Sequence, residues 1–346
     1  MSLTAEPAPG LSNFKAYAQP RLGRGLLDIA TSVVPYVALT VVMFLVAGSS
    51  LVATLLLAVP TAAFLIRTFV VFHDCAHGSL LPSRRANRYV GRFLGLFVMS
   101  PFARWRHDHA VHHGCAGDLD RRGVGDVLTL TISEYRRRSW RGRLRYRLIR
   151  NPLVMFGLGP IVAMMVGPRL TTRSQRPRLR NSVLLTDCAL LVAFGLLLAL
   201  VGWERLLLVW APAAMIAGST GIWLFYVQHQ FDDTYWEHGE QWSYADAALR
   251  GSSYLCLPAI LRFFTGSIGL HHVHHLNARI PNYNLQRAHD ENPVLHSVPK
   301  LTLLDGLRAV RLKLWDEDRG ALVTFAQARG LPVGIASGAA VAEPAG

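Results

Sequence analysis

Four long apolar stretches constrain this chain more than any other feature. They run Ile29–Ala47, Leu51–Phe72, Val183–Trp203 and Leu206–Val227. A helix needs ~20 such residues to cross a hydrocarbon core ~30 Å thick. In lipid, each backbone polar group has to be satisfied within its own segment. The expected fold class is therefore an all-α integral membrane protein. Arg67 falls near the end of the second stretch and Asp187 in the first turns of the third, where both can reach the headgroups. Only Gly48–Ser50 and Glu204–Arg205 separate the stretches within each pair, so the four spans form two antiparallel hairpins.

Charge orients these hairpins. Lys and Arg number 36 against 22 Asp and Glu, a formal net charge of +14. Much of the excess lies between the hairpins, in residues 73–182, as in "EYRRRSWRGRLRYRLIR" (134–150). By the positive-inside rule this segment, both termini and the residues after 228 are expected on the cytoplasmic side. No nucleic-acid-binding motif accompanies the charge. The apolar run 153–167 is only 15 residues long and holds Pro160, which predicts a re-entrant or interfacial segment. Interfacial helices are expected over 90–103 and 301–315. Residues 1–24 and 321–346 read as flexible tails around a domain spanning 25–320. The four cysteines form no C-x-x-C pair and read as free thiols.

Chemistry concentrates in histidine. His73 and His77 stand four apart at the end of the second stretch. "HDHAVHH" holds His109, His112 and His113, and "HHVHH" holds His271, His274 and His275. Residues three and four apart share a helix face, so each cluster can aim two or three imidazoles at one point. Eight imidazoles exceed the needs of one metal ion and suit two. His107 and His272 break phase with their neighbours and are additional candidates. His238, His289 and His296 are isolated and read as ordinary polar residues.

Imidazole suits zinc, copper, iron and nickel. Zinc hydrolases use fewer histidines and commonly H-E-x-x-H, and carboxylate di-iron sites use Glu-x-x-His. Neither motif occurs here. A pair of irons in a nearly all-nitrogen shell remains, and a redox metal at a membrane surface suggests oxidation of a lipid by O₂. A non-catalytic metal-binding or transport protein is the competing class. Transporters, however, place polar groups at midplane, whereas these histidines stand at or beyond span ends.

The three boxes resemble those of the integral-membrane fatty-acid desaturases, a superfamily that includes hydroxylases and ketolases. "VQHQFDDTYW" (227–236), "GLHHVHHLNARIPNYNLQRAH" (269–289) and "RLKLWDED" (311–318) extend the similarity, which covers roughly 25–320. Three residues separate His73 from His77, the third box begins with His271 and no H-P-G-G haem motif occurs. These features are similar to the Δ12/ω-3-type acyl-lipid branch. The resemblance adds His229 as a ninth ligand. Where some relatives carry a water-bridging Asn four residues earlier, this chain has Phe225.

The resemblance implies a non-haem di-iron enzyme that uses O₂ and two external electrons to place a cis double bond in a lipid-linked acyl chain. A lipid hydroxylase or oxygenase on the same scaffold is the alternative. Its catalytic and metal residues would be His73, His77, His109, His112, His113, His229, His271, His274 and His275. Without a flavin, haem or nicotinamide motif, the electrons have to come from a partner. Ferredoxin with its reductase is the first expectation and cytochrome b5 the second. Metal-bound imidazoles commonly donate their second N–H to a carboxylate or carbonyl, which makes Asp74, Asp108, Asp232 and Asp233 candidate supports.

Overall fold

The computed structural model describes residues 11–123, 125, 127–172 and 175–331. The first hairpin pairs α1 (Leu22–Val46) with α2 (Leu51–His77). Ser50 caps α2, its hydroxyl accepting the Ala53 N–H at 3.2 Å. Gly78 ends it at φ 70°, the left-handed conformation that glycine adopts without a steric penalty. Between the hairpins come α3 (Arg84–Phe97), α4 (Phe102–Cys115), α5 (Ile132–Arg137) and α6 (Trp140–Ile149). A run of π, α (α7, Gly159–Ile161) and 3₁₀ turns follows, ending at Arg169 and bent by 60° against α6. The second hairpin is α8 (Pro177–Val201) and α9 (Trp203–His229).

These four helices are long and apolar enough to cross a membrane, and each outruns the stretch read from hydropathy. The reason is local. A helix continues past its apolar run for as long as its N–H groups find i−4 carbonyls, so α2 carries on from Phe72 to His77 and α9 from Val227 to His229. The histidines therefore ride on rigid helix ends. α2 is the hub. Half of its most apolar window is buried, against 11% in α1 and α8. Its Leu65, Val71, Phe72 and Cys75 pack with Leu80, Leu94 and Phe102. Gly91 allows α3 to approach α4 closely, since a Cβ there would sit 2.1 Å from the Phe102 ring.

The cap after α9 comprises α10 (Tyr244–Leu249), α11 (Ala259–Phe264), α12 (His271–Leu276), α13 (Asn282–Asp290), α14 (Leu303–Ala309) and α15 (Phe325–Gly330). Strands of two or three residues stitch it together. β1 (Leu130–Thr131) pairs parallel with β4 (Leu314–Asp316), which pairs antiparallel with β5 (Ala321–Val323). β2 (Tyr254–Leu255) runs parallel to β3 (Lys300–Leu301). Arg150, 1% exposed, ties this cap to α9 through the Tyr226 hydroxyl, Gln230 Oε1 and the Leu312 carbonyl.

Several boundaries differ from the sequence reading. Within 1–24, Phe14 and Tyr17 are buried against Leu270, Val273 and Ile280, so this part is not a free tail; residues 1–10 lie outside the described residues. At the other end, β5 and α15 belong to the cap, because Val323 supplies the backbone partner for Lys313 at 2.8 Å; residues 332–346 lie outside the description. The helix expected over 90–103 starts earlier, at Arg84, and stops at Phe97. Met99 turns at φ 51° and Pro101 provides no N–H, so a new helix begins at Phe102. The helix expected over 301–315 ends at Ala309, after which Leu314 and Trp315 enter the sheet, buried.

Candidate metal centre

Helical phase divides the histidines in a way that cluster spacing alone does not show. At 100° per residue, positions i and i+4 lie 40° apart and position i+3 faces away from i+4 by 100°. On α4, His109 and His113 join one group and His112 the other. On α12, His271 and His275 join one group and His274 the other. α2 adds His73 and His77 to the first group, and α9 adds His229 to the second. The result is five imidazoles (His73, His77, His109, His113, His274) beside four (His112, His229, His271, His275), with the ligand atoms of each group within 4.8 Å of one another. Each cluster was expected to aim at one point; the second and third each serve two.

The contacts inside each group test whether a metal ion fits. His109 Nε2 lies 3.0 Å from His73 Nε2 and 3.1 Å from His113 Nε2, which in turn lies 3.0 Å from His274 Nε2. A neutral ring nitrogen presents one in-plane position, either a proton or a lone pair. A hydrogen-bonded chain would ask His109 and His113 to serve two partners from that one position. A cation at the centre satisfies them all, and metal–imidazole distances of about 2.1 Å place right-angled ligands about 3 Å apart. In the second group His271 Nε2 and His229 Nε2 are 3.0 Å apart. His77 Nε2 and His275 Nε2 are buried without a hydrogen-bond partner. Burial, reinforced by neighbouring imidazoles, holds His109, His113, His271, His274 and His275 well below the ordinary imidazole range, so their lone pairs are available at neutral pH. The residues present fit two metal ions.

Surrounding groups orient the rings. His229 Nδ1 donates to the Gly251 carbonyl at 2.9 Å, which leaves Nε2 as the inward atom. His73 Nδ1 lies 3.3 Å from Asp74 Oδ1. Asp74 Oδ2 accepts the Asn282 backbone N–H at 2.7 Å and its Nδ2 at 3.0 Å. That same amide reaches Asp28 Oδ2 at 2.9 Å, and Arg67 meets Asp28 Oδ1 at 2.9 Å. Trp105 stacks on His109 at 4.4 Å, and Phe225 lies 5.1 Å from His112.

Other candidates stand elsewhere. His107 pairs with Asp108, which also takes Arg104. His272 turns away to His289, 3.0 Å distant. Asp232 and Asp233 are exposed and contact none of the nine imidazoles among the described residues. Asn282, Gly251 and Trp105 were missed as supports. Only Asn282 carried a signal, as the first Asn of the quoted PNYNL run.

Comparison with known proteins agrees with this geometry. The family model described as fatty acid desaturase matches residues 47–300, which include all nine imidazoles. A fatty acid desaturase from Bacillus subtilis is 40% identical over 320 residues, covering 92% of this chain and 91% of that protein. Two Synechocystis proteins are more distant. An sn-1 acyl-lipid omega-3 desaturase (ferredoxin) is 29% identical over 64% of this chain and 62% of its own length. An sn-1 oleoyl-lipid 12-desaturase is 28% identical over 66% and 65%. With more than half its length matched and a relative of this identity aligned almost end to end, the chain belongs to the fatty acid desaturase family, a family of oxidoreductases.

Proposed function

We propose that this family member desaturates the acyl chain of a membrane lipid at two iron ions. His73, His77, His109, His113 and His274 would hold one, and His112, His229, His271 and His275 the other. The observation that carries this reading is the pair of all-nitrogen groups at the ends of two apolar helices, α2 and α9. Bound iron would supply the O₂ and redox chemistry that no side chain here offers. The overall reaction removes two hydrogens from adjacent carbons. With two electrons and two protons from outside, it reduces one O₂ to two waters.

The chain's own residues hold and shield this site. The Gly251 carbonyl and Asp74 fix the tautomers of His229 and His73, keeping a lone pair turned inward. Trp105 and Phe225 cover His109 and His112 with aromatic surface, which excludes water from the reacting groups. Phe225 offers no polar atom to the four-imidazole group, so a further ligand there would come from solvent. Electrons would arrive from ferredoxin and its reductase, with cytochrome b5 as the second choice. The ferredoxin named for one Synechocystis relative supports that order. The arginine excess of segment 73–182 supports a cytoplasmic position for the histidine side and both termini. It also supports attraction of an acidic carrier. The turns of 154–169, bent against α6, would re-enter the same face.

The test is expression in a host lacking polyunsaturated lipids, followed by methyl-ester analysis under ¹⁸O₂. A new double bond without ¹⁸O in the lipid is expected. Label in the acyl chain would make the protein an oxygenase, and no product from iron-loaded, reduced protein would remove the reading.

A further inference from the structure

A cleft of about 620 Å³ opens beside His77, one of the first histidine group. Six arginines line it (Arg84, Arg85, Arg88, Arg106, Arg178 and Arg279), and His77 forms part of its floor. They come from four separate places: the first turns of α3, the middle of α4, the start of α8 and the turn between α12 and α13. No carboxylate lines the cleft. Among the described residues, none of the six side chains has an ion pair or hydrogen bond. Nearby arginines do find acids, as in Arg104–Asp108 and Arg169–Asp187. Arg106, on α4, shares this lining with Arg84 and Arg88 of α3 and Arg178 of α8.

We infer that this cleft binds the phosphate of the lipid that carries the acyl chain, making a glycerophospholipid the substrate. The inference rests on the desaturase reading above. Guanidinium groups pair with phosphate oxygens two at a time. The cleft also meets the N-terminus of α3, a 14-residue helix capped by Ser83, whose free N–H groups and dipole favour an anion. Depth favours a lipid. α3 exposes Tyr89 at 67% and Phe93 at 56%, aromatic groups suited to the membrane interface, with arginines that reach headgroup level. The positive-inside rule explains arginines spread over a face, but not six of them converging unpaired on one concavity beside His77.

The test uses the full iron-loaded chain in detergent. Phosphatidylglycerol and monogalactosyl diacylglycerol with matched acyl chains are the competing probes, and retained lipid is read by native mass spectrometry. Phosphatidylglycerol should be preferred by about tenfold or more, the effect of one lost charged hydrogen bond. Arg84→Gln/Arg88→Gln and Arg178→Gln/Arg279→Gln should each abolish the preference with iron content unchanged. Arg141→Gln/Arg143→Gln on α6, which removes the same charge elsewhere, should keep it. Equal retention of the galactolipid, or the same loss in the α6 pair, overturns the proposal. So does displacement by coenzyme A but not by phosphatidylglycerol, which would assign the cleft to a soluble thioester. Cleft variants that keep the lipid preference but lose reduction by an acidic ferredoxin would assign it to the electron carrier. If wild type desaturates galactolipid as fast as phosphatidylglycerol, and the cleft variants desaturate phosphatidylglycerol as fast as wild type, the proposal fails while the desaturase reading stands. No double bond in any lipid removes that reading instead.

Discussion

Replacing Asn282 with Ala tests whether the PNYNL segment holds the metal centre together. The carboxamide bridges Asp74 Oδ2 at 3.0 Å and Asp28 Oδ2 at 2.9 Å, and Asp74 in turn supports His73 at 3.3 Å. All four residues are buried. The substitution removes two hydrogen bonds to carboxylates, each worth ~1.5–3 kcal/mol. Asp74 keeps the backbone N–H of residue 282 at 2.7 Å, and Asp28 keeps Arg67, so the lower end applies, about 3 kcal/mol in all. That is a large part of a typical ~5–15 kcal/mol. Asn282→Asp should be worse than Ala, because it sets a third carboxylate beside Asp28 and Asp74, where Arg67 is the cation in direct contact. The assay is thermal unfolding in detergent alongside iron per chain. Both should fall, in the order wild type, Ala, Asp. A wild-type midpoint with full iron in Asn282→Ala would refute the clamp, and loss of stability with iron retained would reduce Asn282 to a packing role.

Three further outcomes are expected. His112→Ala should lower iron per chain and abolish desaturation; His296→Ala should do neither, since His296 bonds the His289 carbonyl at 3.0 Å outside both groups. Lys313, buried with its ammonium over the Tyr226 ring at 5.5 Å and without a hydrogen-bond partner, is pushed down to about 7 by burial and then by Arg150. Its cost is full below about pH 7 and fades as pH rises toward 10.5, the ordinary lysine value, because the unfolded chain holds the proton over that range. Lys313→Met should therefore stabilise by ~1–3 kcal/mol at pH 6 and by progressively less above pH 7 in melting experiments. His238 bridges Asp120 at 2.7 Å and Glu317 at 3.4 Å, and the Asp120 hydrogen bond raises it above 6.5. Its contribution is complete below pH 6.5 and lost as pH climbs through the raised value. The side chain is half exposed, so His238→Gln should cost under about 1 kcal/mol at pH 6 and nothing at pH 9 by the same melting assay.

What could be read from sequence follows the range of the signal. Hydropathy averages over some twenty residues, so it found four spans but not their ends: His73, His77 and His229 are polar, and only the hydrogen-bond ladder carries the helix through them to Gly78 and Gln230. Helical phase acts over three or four residues. It marked the histidine clusters, and the same phase, taken one step further, separates His112 from His109 and His113, and His274 from His271 and His275. Contacts that join distant segments leave no periodic trace. Asn282 meets Asp74 across 208 residues and Asp28 across 254. Arg150 sits in an arginine-rich run that reads as solvated, yet it is buried on the neutral acceptors Tyr226, Gln230 and Leu312. β1 to β5 are two or three residues long, shorter than the alternation that identifies a strand. The imidazoles thus announce themselves locally, while the groups that aim them come from wherever the fold returns the chain. The support of a histidine site is for that reason harder to read than the site itself.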